Sequence, residues 1–390
     1  MARWAGPRQA PRAHAFVSTC RNLHARIPDA VTNAAPSVIS PSQTPGILHA
    51  YLSTRLSTRL LMTHPSAAVP LYAAVELGSD SFRLHVASVE AGRVRVVATL
   101  SEPVRLGAEL EAGGSIGADA MRRALDCLGR FRAVLALWAP RAVRVVATAA
   151  LRRARNASVF VPAAAAAIGH PVDIIGAEEE GRLVYLGVAT TLGNGLEGAQ
   201  EDAGQRRLVL DIGSGSTELV LGQGERIERV YSFGVGALRH GLTFFGDGID
   251  PGAFDAALES SRSRFADAGA APGMRGWRRA HGASGSVRAL AELADALLGQ
   301  APSLDAGRLY ALRRAAIEDG GLVRVAAQWP QGGRAAQVAG ALAMLVALVE
   351  ELGIDEVAPV QAGLRAGVIR MLHARCEGEA PGRTPYRECV

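Results

Sequence analysis

Two short loops crowded with glycine, hydroxyl and carboxylate constrain this chain more than any other feature. Glu76-Leu77-Gly78-Ser79-Asp80-Ser81-Phe82-Arg83 follows the apolar run Leu71–Val75, and Asp211-Ile212-Gly213-Ser214-Gly215-Ser216-Thr217-Glu218 follows Arg207–Leu210. Each apolar run ends abruptly, and a second strand returns from the loop: Phe82–Val89 in one case, Glu218–Leu221 in the other. A third strand follows each, Arg93–Leu100 after the Ala91-Gly92 turn and Arg226–Tyr231. Strand, polar glycine loop, strand is a hairpin whose tip presents backbone amides, and glycine lets that tip turn tightly. An ordinary turn needs one or two such residues. Here the pattern occurs twice, which predicts an α/β protein of two related lobes that face each other.

Between the repeats, Asp119 reads as the N-cap of a helix with Met121, Leu125, Leu128, Leu135 and Trp138 on one face, stopped by Pro140. Ala142–Ala147 and Val172–Ile175 read as strands, Asn156–Ile168 as a helix, and Glu178 to about Gly187 as another. Gly193–Gln205 is glycine-rich and polar, a surface loop or interlobe linker. Helices dominate after Phe254, interrupted by a short strand at Trp277–His281 and a turn at Gly282–Ser286. The last helix, roughly Ala335–Leu352, is strongly apolar. At 390 residues the chain exceeds one typical domain. The expected division is a disordered extension over 1–66, a first lobe over 70–190, a second over 205–375 and a flexible tail over 376–390.

Charge separates the extension from the rest. Before Pro65 stand Arg3, Arg8, Arg12, Arg21, Arg26, Arg55 and Arg59 against the single acid Asp29, more than the whole chain's formal excess of +5. The folded part is therefore near neutral, and bulk basicity gives no case for nucleic-acid binding. The extension has the composition of a transit-type segment, or of a reading frame begun upstream of Met62. Cys20, Cys127, Cys376 and Cys389 form no CxxC pair or metal-ligand spacing, which suits a reducing, cytoplasmic setting. No run approaches the ~20 consecutive apolar residues that span a bilayer, so no membrane partner is expected. The apolar helix near the end suits a homodimer.

Four constellations carry chemistry. Around Gly78, the amides and hydroxyls of Ser79, Asp80 and Ser81 can surround a phosphoryl oxygen, Glu76 can hold a metal-bound water and Arg83 can make a bidentate phosphate contact. In the second loop, Gly213, Ser214, Gly215, Ser216 and Thr217 can take phosphate while Asp211 and Glu218 orient Mg²⁺ or water. Glu178-Glu179-Glu180 directly follows a buried strand, and one of the three can act as general base for water attack on phosphorus. Ser284 and Gly285 lie in an amide-rich turn at a helix start, with Arg288 just beyond. Arg152, Arg153 and Arg155 form a basic cluster that a phosphate chain would use. Solvated turns and helix starts account for each of these patterns too, least well for the second loop. No GxxxxGK[ST] or HExxH occurs.

Taken in order, Ala73–Arg83, Val104–Gly107, Ala147–Arg152 with Asn156, Glu178–Val188, Leu210–Leu219, Gly282–Leu290 and Gly340–Leu364 resemble the exopolyphosphatase / guanosine pentaphosphate phosphohydrolase (Ppx/GppA) family. The resemblance runs from about Leu71 to about Leu372. It implies the two-lobed fold shared by actin, sugar kinases and heat-shock chaperone ATPases (ribonuclease H-like), with the active site in the interlobe cleft. It also implies Mg²⁺-dependent hydrolysis of a terminal phosphoanhydride in inorganic polyphosphate or guanosine pentaphosphate. By position, Glu180 corresponds to the catalytic base, and Glu76, Asp211 and Glu218 to acids that position metal and water. Gly78–Ser81 and Gly213–Thr217 correspond to phosphate-gripping loops, and Arg83 and Arg152 to phosphate contacts. The chain departs from the family pattern with Glu76 for Asp, Asp80 for Asn, Ser214 for Gly and Ala366 for Glu. Glu76, Asp80 and Ala366 motivate a second reading, a non-catalytic phosphate or alarmone sensor on the same fold.

Overall fold

In the computed structural model the strand–loop–strand pattern is realised twice with one topology. The structure describes residues 69–193, 206–271, 274, 276–301, 303–318 and 335–378, all within the unit Ser57–Val390. The extension over 1–66, most of the Gly193–Gln205 linker and the tail from 379 lie outside the described residues.

In the first sheet, β1 (Leu71–Leu77), β2 (Ser81–Glu90) and β3 (Arg93–Pro103) pair antiparallel. β4 (Ala142–Ala147) then adds parallel to β1, and β5 (Val172–Ile174) parallel to β4. Ala91 and Gly92 both take positive φ, 48° and 75°, as a two-residue hairpin turn of the type I′ class requires. The second sheet repeats this order with β6 (Arg206–Ile212), β7 (Thr217–Gln223), β8 (Arg226–Phe233), β9 (Trp277–Gly282) and β11 (Glu356–Pro359). The two-residue β10 (Leu304–Asp305) is added at its edge. The central strands β1 and β6 are buried on both faces, and in both the residue before the last stays partly accessible. Those two residues are Glu76 and Asp211.

Helices α1 (Leu106–Gly113), α2 (Ala118–Trp138), α3 (Ala149–Arg153) and α4 (Ala157–Ile168) belong to the first lobe. α2 buries Ala120, Ala124, Cys127, Leu128, Phe131, Val134 and Leu135, so its core stripe includes Phe131 beyond the sequence pattern. Its N-cap is Gly117 and not Asp119. The Asp119 carboxylate sits inside the first turn and pairs with Arg122. α5 (Ala177–Gly193) runs past Gly187, where the sequence suggested its end.

α6 (Ala237–Phe245), α7 (Pro251–Ala270), α8 (Gly285–Leu298), α9 (Ala306–Glu318) and α10 (Ala335–Leu352) build the second lobe. α10 is long and apolar enough to cross a membrane, but every residue from Val338 to Val349 is buried in the second-lobe core. A helix apolar on all sides is what a core helix requires. The face on which a homodimer was expected is therefore taken up internally.

One further helix, α11 (Leu364–Cys376), was not anticipated, nor was β11 before it. α11 leaves the second sheet but packs on β1, β2 and β4 of the first, while α5 packs on β6, β7 and β8 of the second. The lobes thus exchange a helix, and the contiguous division at 190/205 describes the sheets but not the helices. A shared core results: Tyr72, Ala74 and Val146 of one sheet and Val209 and Val220 of the other close on Leu183–Val188 and Val368–Leu372. The two helices cross with backbones touching. A Cβ on Gly367 would lie 1.8 Å from the Leu183 carbonyl oxygen, and one on Gly187 2.2 Å from that of Gly363.

Candidate active site

Both glycine loops sit at the carboxyl ends of central strands, where α/β sheets place their sites. Each tip is fastened by the start of a following helix. Val104 and Arg105 donate their backbone N–H groups to the Asp80 carbonyl (3.0 and 2.7 Å), and Gly107 donates to that of Ser79 (2.7 Å). In the second lobe Ala237 and Leu238 donate to the carbonyls of Gly213 (2.8 Å) and Ser214 (3.1 Å). The loops meet: a Cβ on Gly215 would lie 2.6 Å from Ser79 Oγ and 2.9 Å from Ala149 Cβ, so this contact requires glycine there. Together with Ala283–Ser286 they line a cleft of about 730 Å³.

Glu180 is the inward member of its acidic run. Glu178 pairs with Arg182 and Glu179 with Arg144, with side chains 68% and 38% exposed, whereas Glu180 is 11% exposed and lines the cleft. Arg152 Nη1 donates to Glu180 Oε2 at 2.7 Å and to the Ile175 carbonyl at 3.0 Å. Arg152 is thus spent on Glu180 and does not line the cleft, contrary to the phosphate contact expected of it. Thr217 also departs from expectation. It is fully buried and its hydroxyl donates to the Val235 carbonyl at 2.8 Å, so it locks the loop to the sheet and does not grip a phosphate. Ser284 Oγ accepts from Val287 N at 3.0 Å and caps α8, while Gly285 keeps an open amide edge in the lining.

Asp211 lies directly across from Glu218 in the β6–β7 register. Like charges placed opposite one another repel, and Glu180 makes a third. Burial, followed by Glu180 and Asp211, drives the Glu218 carboxyl well above its ordinary range; the hydroxyls of Ser216 and of Ser232 (3.0 Å) only partly offset this. Burial pushes Glu180 up to about 7 against the pull of Arg152, with Asp211 and Glu76 adding to the rise. Burial and the Glu76 charge push Asp211 up to about 6, against Arg288, Arg83 and Arg365.

These three acids hold protons more tightly folded than unfolded, so they stabilise the fold at acid pH and lose that contribution as pH rises through the folded values. His85, in the cleft lining, and buried His240, both lowered by desolvation, act oppositely, but only below their ordinary 6.5. Between pH 6.5 and 8 the ligand-free protein should therefore lose on the order of 1 kcal/mol, a fall in Tm of about 1–2 °C. Calorimetry at the two pH values checks this, and a Tm that rises over the interval contradicts it.

The cationic wall was only half anticipated. Arg83 lines the cleft as expected, but Arg288 and Arg365 stand with it. Arg288 Nη1 is anchored by the carbonyls of Ala283 (2.9 Å) and Val360 (3.0 Å). Arg365, on the first turn of α11, pairs with Glu76 Oε2, and burial beside the other two guanidiniums lowers it to about 10. Burial works against ionised Glu76, but Arg365 and Arg83 outweigh it and its carboxyl ends below the usual range. The chain has no lysine, so all 42 Lys/Arg positions are arginine and every strong cation available to the site is a planar guanidinium fork.

Among the described residues no three His, Cys, Asp or Glu side chains gather closely enough to cage a metal ion. Mg²⁺ rarely needs such a cage: it takes one or two carboxylates, waters and phosphate oxygens of the substrate. Asp211 fits that use. It lines the cleft, and no hydrogen bond or ion pair occupies its oxygens among the described residues. Glu76, expected as a metal ligand, is held by arginine instead. Glu218, also expected as one, is buried behind the lining and takes hydrogen bonds from Ser216 and Ser232.

A family model described as the Ppx/GppA phosphatase family matches residues 85–375. Solved structures share the fold at low sequence identity. The Aquifex aeolicus Ppx/GppA family member aligns with a TM-score of 0.65 at 23% identity, covering 79% of this chain and 98% of its own. An exopolyphosphatase from Cytophaga hutchinsonii gives 0.67 at 22%, covering 80% and 100%. A nucleoside triphosphate hydrolase from Neospora caninum, at 0.51 and 13%, covers 82% and 94%.

Proposed function

The chain belongs to the Ppx/GppA phosphatase family and is a hydrolase of phosphoanhydrides; on that premise we propose that it cleaves terminal orthophosphate from inorganic polyphosphate or guanosine pentaphosphate with Mg²⁺. The observation that carries this reading is Glu180, an arginine-held carboxylate facing the same cleft as Asp211 and the three guanidiniums. The loop amides and Arg83, Arg288 and Arg365 hold the phosphate chain, and Glu180 aligns a water with the terminal phosphorus. As the water oxygen bonds to phosphorus, its proton passes to Glu180 and the bridging P–O electrons leave with the shortened chain. Bound through Asp211, Mg²⁺ would neutralise charge on the phosphoryl oxygens. Glu180 must be ionised to accept the proton, and a value near 7 suits a base working near neutral pH. The sensor alternative has no observation in its favour, since the base, its arginine and the facing acids are all in place.

Phosphate release should be measured from long polyphosphate, tripolyphosphate and guanosine pentaphosphate, each with Mg²⁺ and with EDTA. Mg²⁺-dependent release from at least one is expected. Failure on all three, with the folded protein in hand, sinks the reading.

A further inference from the structure

Glu76 and Asp211 occupy the same place in the two lobes, the last position but one of a central strand, each directly opposite a residue of the returning strand. Their surroundings differ in sign. Asp211 faces Glu218, so the second lobe presents acid against acid. Glu76 faces Arg83, and both of its oxygens meet guanidinium: Oε1 lies 3.9 Å from Arg83 Nη1, and Oε2 accepts from Arg365 Nη1. A divalent ion drawn to Asp211 would be opposed at Glu76 by two fixed positive charges.

Arg365 comes from 289 residues away in the sequence. Its side chain is only 16% exposed, it lines the cleft, and its Nε is buried without a hydrogen-bond partner. A buried donor left unused is costly unless something supplies an acceptor. Here an anion entering the cleft would do so. One methylene longer than aspartate, the Glu76 side chain spans from β1 to the first turn of α11.

We propose that Glu76 is not a metal ligand but the counter-ion that holds Arg365 in the cleft, and that Arg365 transfers from Glu76 to a phosphoryl oxygen when a phosphate chain binds. The metal then falls to Asp211. This rests on the phosphohydrolase reading above, yet its test needs no turnover. Full-length protein would be titrated with Mn²⁺ alone, and separately with metal-free tripolyphosphate.

Glu76→Gln should keep Mn²⁺ affinity within about fivefold, whereas Asp211→Asn should lose more than about tenfold. Removing a competing negative charge, Glu76→Gln should bind tripolyphosphate several-fold more tightly. Arg365→Gln should bind it at least about tenfold more weakly, with Arg365→Lys between the two. A larger Mn²⁺ loss in Glu76→Gln, retained Mn²⁺ binding in Asp211→Asn, or unchanged tripolyphosphate binding in Arg365→Gln overturns the proposal. Should Glu76→Gln not fold, the two Arg365 variants decide it. Absent phosphate release alongside the expected binding changes would count against the hydrolase reading alone.

Discussion

Glu180→Gln should reduce phosphate release by about 10²–10⁴-fold, the usual worth of a positioned general base, while tripolyphosphate binding stays within a few-fold of the original. Glutamine keeps the shape and can still hydrogen-bond near Arg152, so the helix start and the Ile175 contact survive. What disappears is the capacity to accept the proton of the attacking water. Rapid-quench phosphate release combined with calorimetric binding separates these effects, and turnover above about a tenth of the original rate would remove Glu180 from the role. A second signature accompanies it. Glu180 is a carboxyl that burial and two neighbouring acids push up to about 7. Its neutral replacement should therefore be more stable than the parent at pH 8, with a shallower decline in Tm from pH 6.5. Gain of stability with loss of rate marks a residue kept ionised for chemistry.

Gly367→Ala should cost at least about 3 kcal/mol of stability and remove most activity with it. The added methyl would sit 1.8 Å from the Leu183 carbonyl oxygen, a fixed backbone atom of α5 that cannot swing aside. Relief requires the α5–α11 crossing to open. α5 carries Glu180 and α11 carries Arg365, so parting them moves the base and one wall of the phosphate site together. Gly187→Ala meets the Gly363 carbonyl at 2.2 Å and should behave alike. Gly129 in α2 provides the contrast: it is exposed and a methyl there meets nothing within 4 Å. Gly129→Ala should therefore stabilise by roughly 0.5–1 kcal/mol. Equal effects at Gly129 and Gly367 in urea unfolding would show that helix propensity, and not the crossing, sets the outcome.

The sheets were legible because strand signals are local. Period-two burial, the apolar central strands and the glycine loops placed β1–β4 and β6–β9 to within a few residues, and the repeated order implied the two lobes. The acids at the strand ends were legible for the same reason, and Glu180 emerged as the inward one of three once its neighbours found Arg182 and Arg144 outside. Glycine was the ambiguous letter. At Gly187 it read as a helix end, whereas it serves a backbone-to-backbone contact within a continuing helix. Arg365 could not be found from pattern, because its partner Glu76 lies 289 residues away in the sequence and α11 lacks a clear apolar stripe. The four residues of β11 are too few to show alternation. Hydroxyl direction was equally invisible: nothing in Gly-Ser-Gly-Ser-Thr tells that Thr217 turns away toward Val235.

The exchanged helix also sets a timetable for synthesis. Tyr72 opens the first central strand, while its hydrogen-bond partner Glu377 follows α11, 305 residues later. At translation rates of about 5–20 residues per second, Tyr72 waits roughly 15–60 s for this partner. During that interval the nascent first lobe has only the α5 side of this shared core and lacks the α11 side, Val368, Ile369 and Leu372.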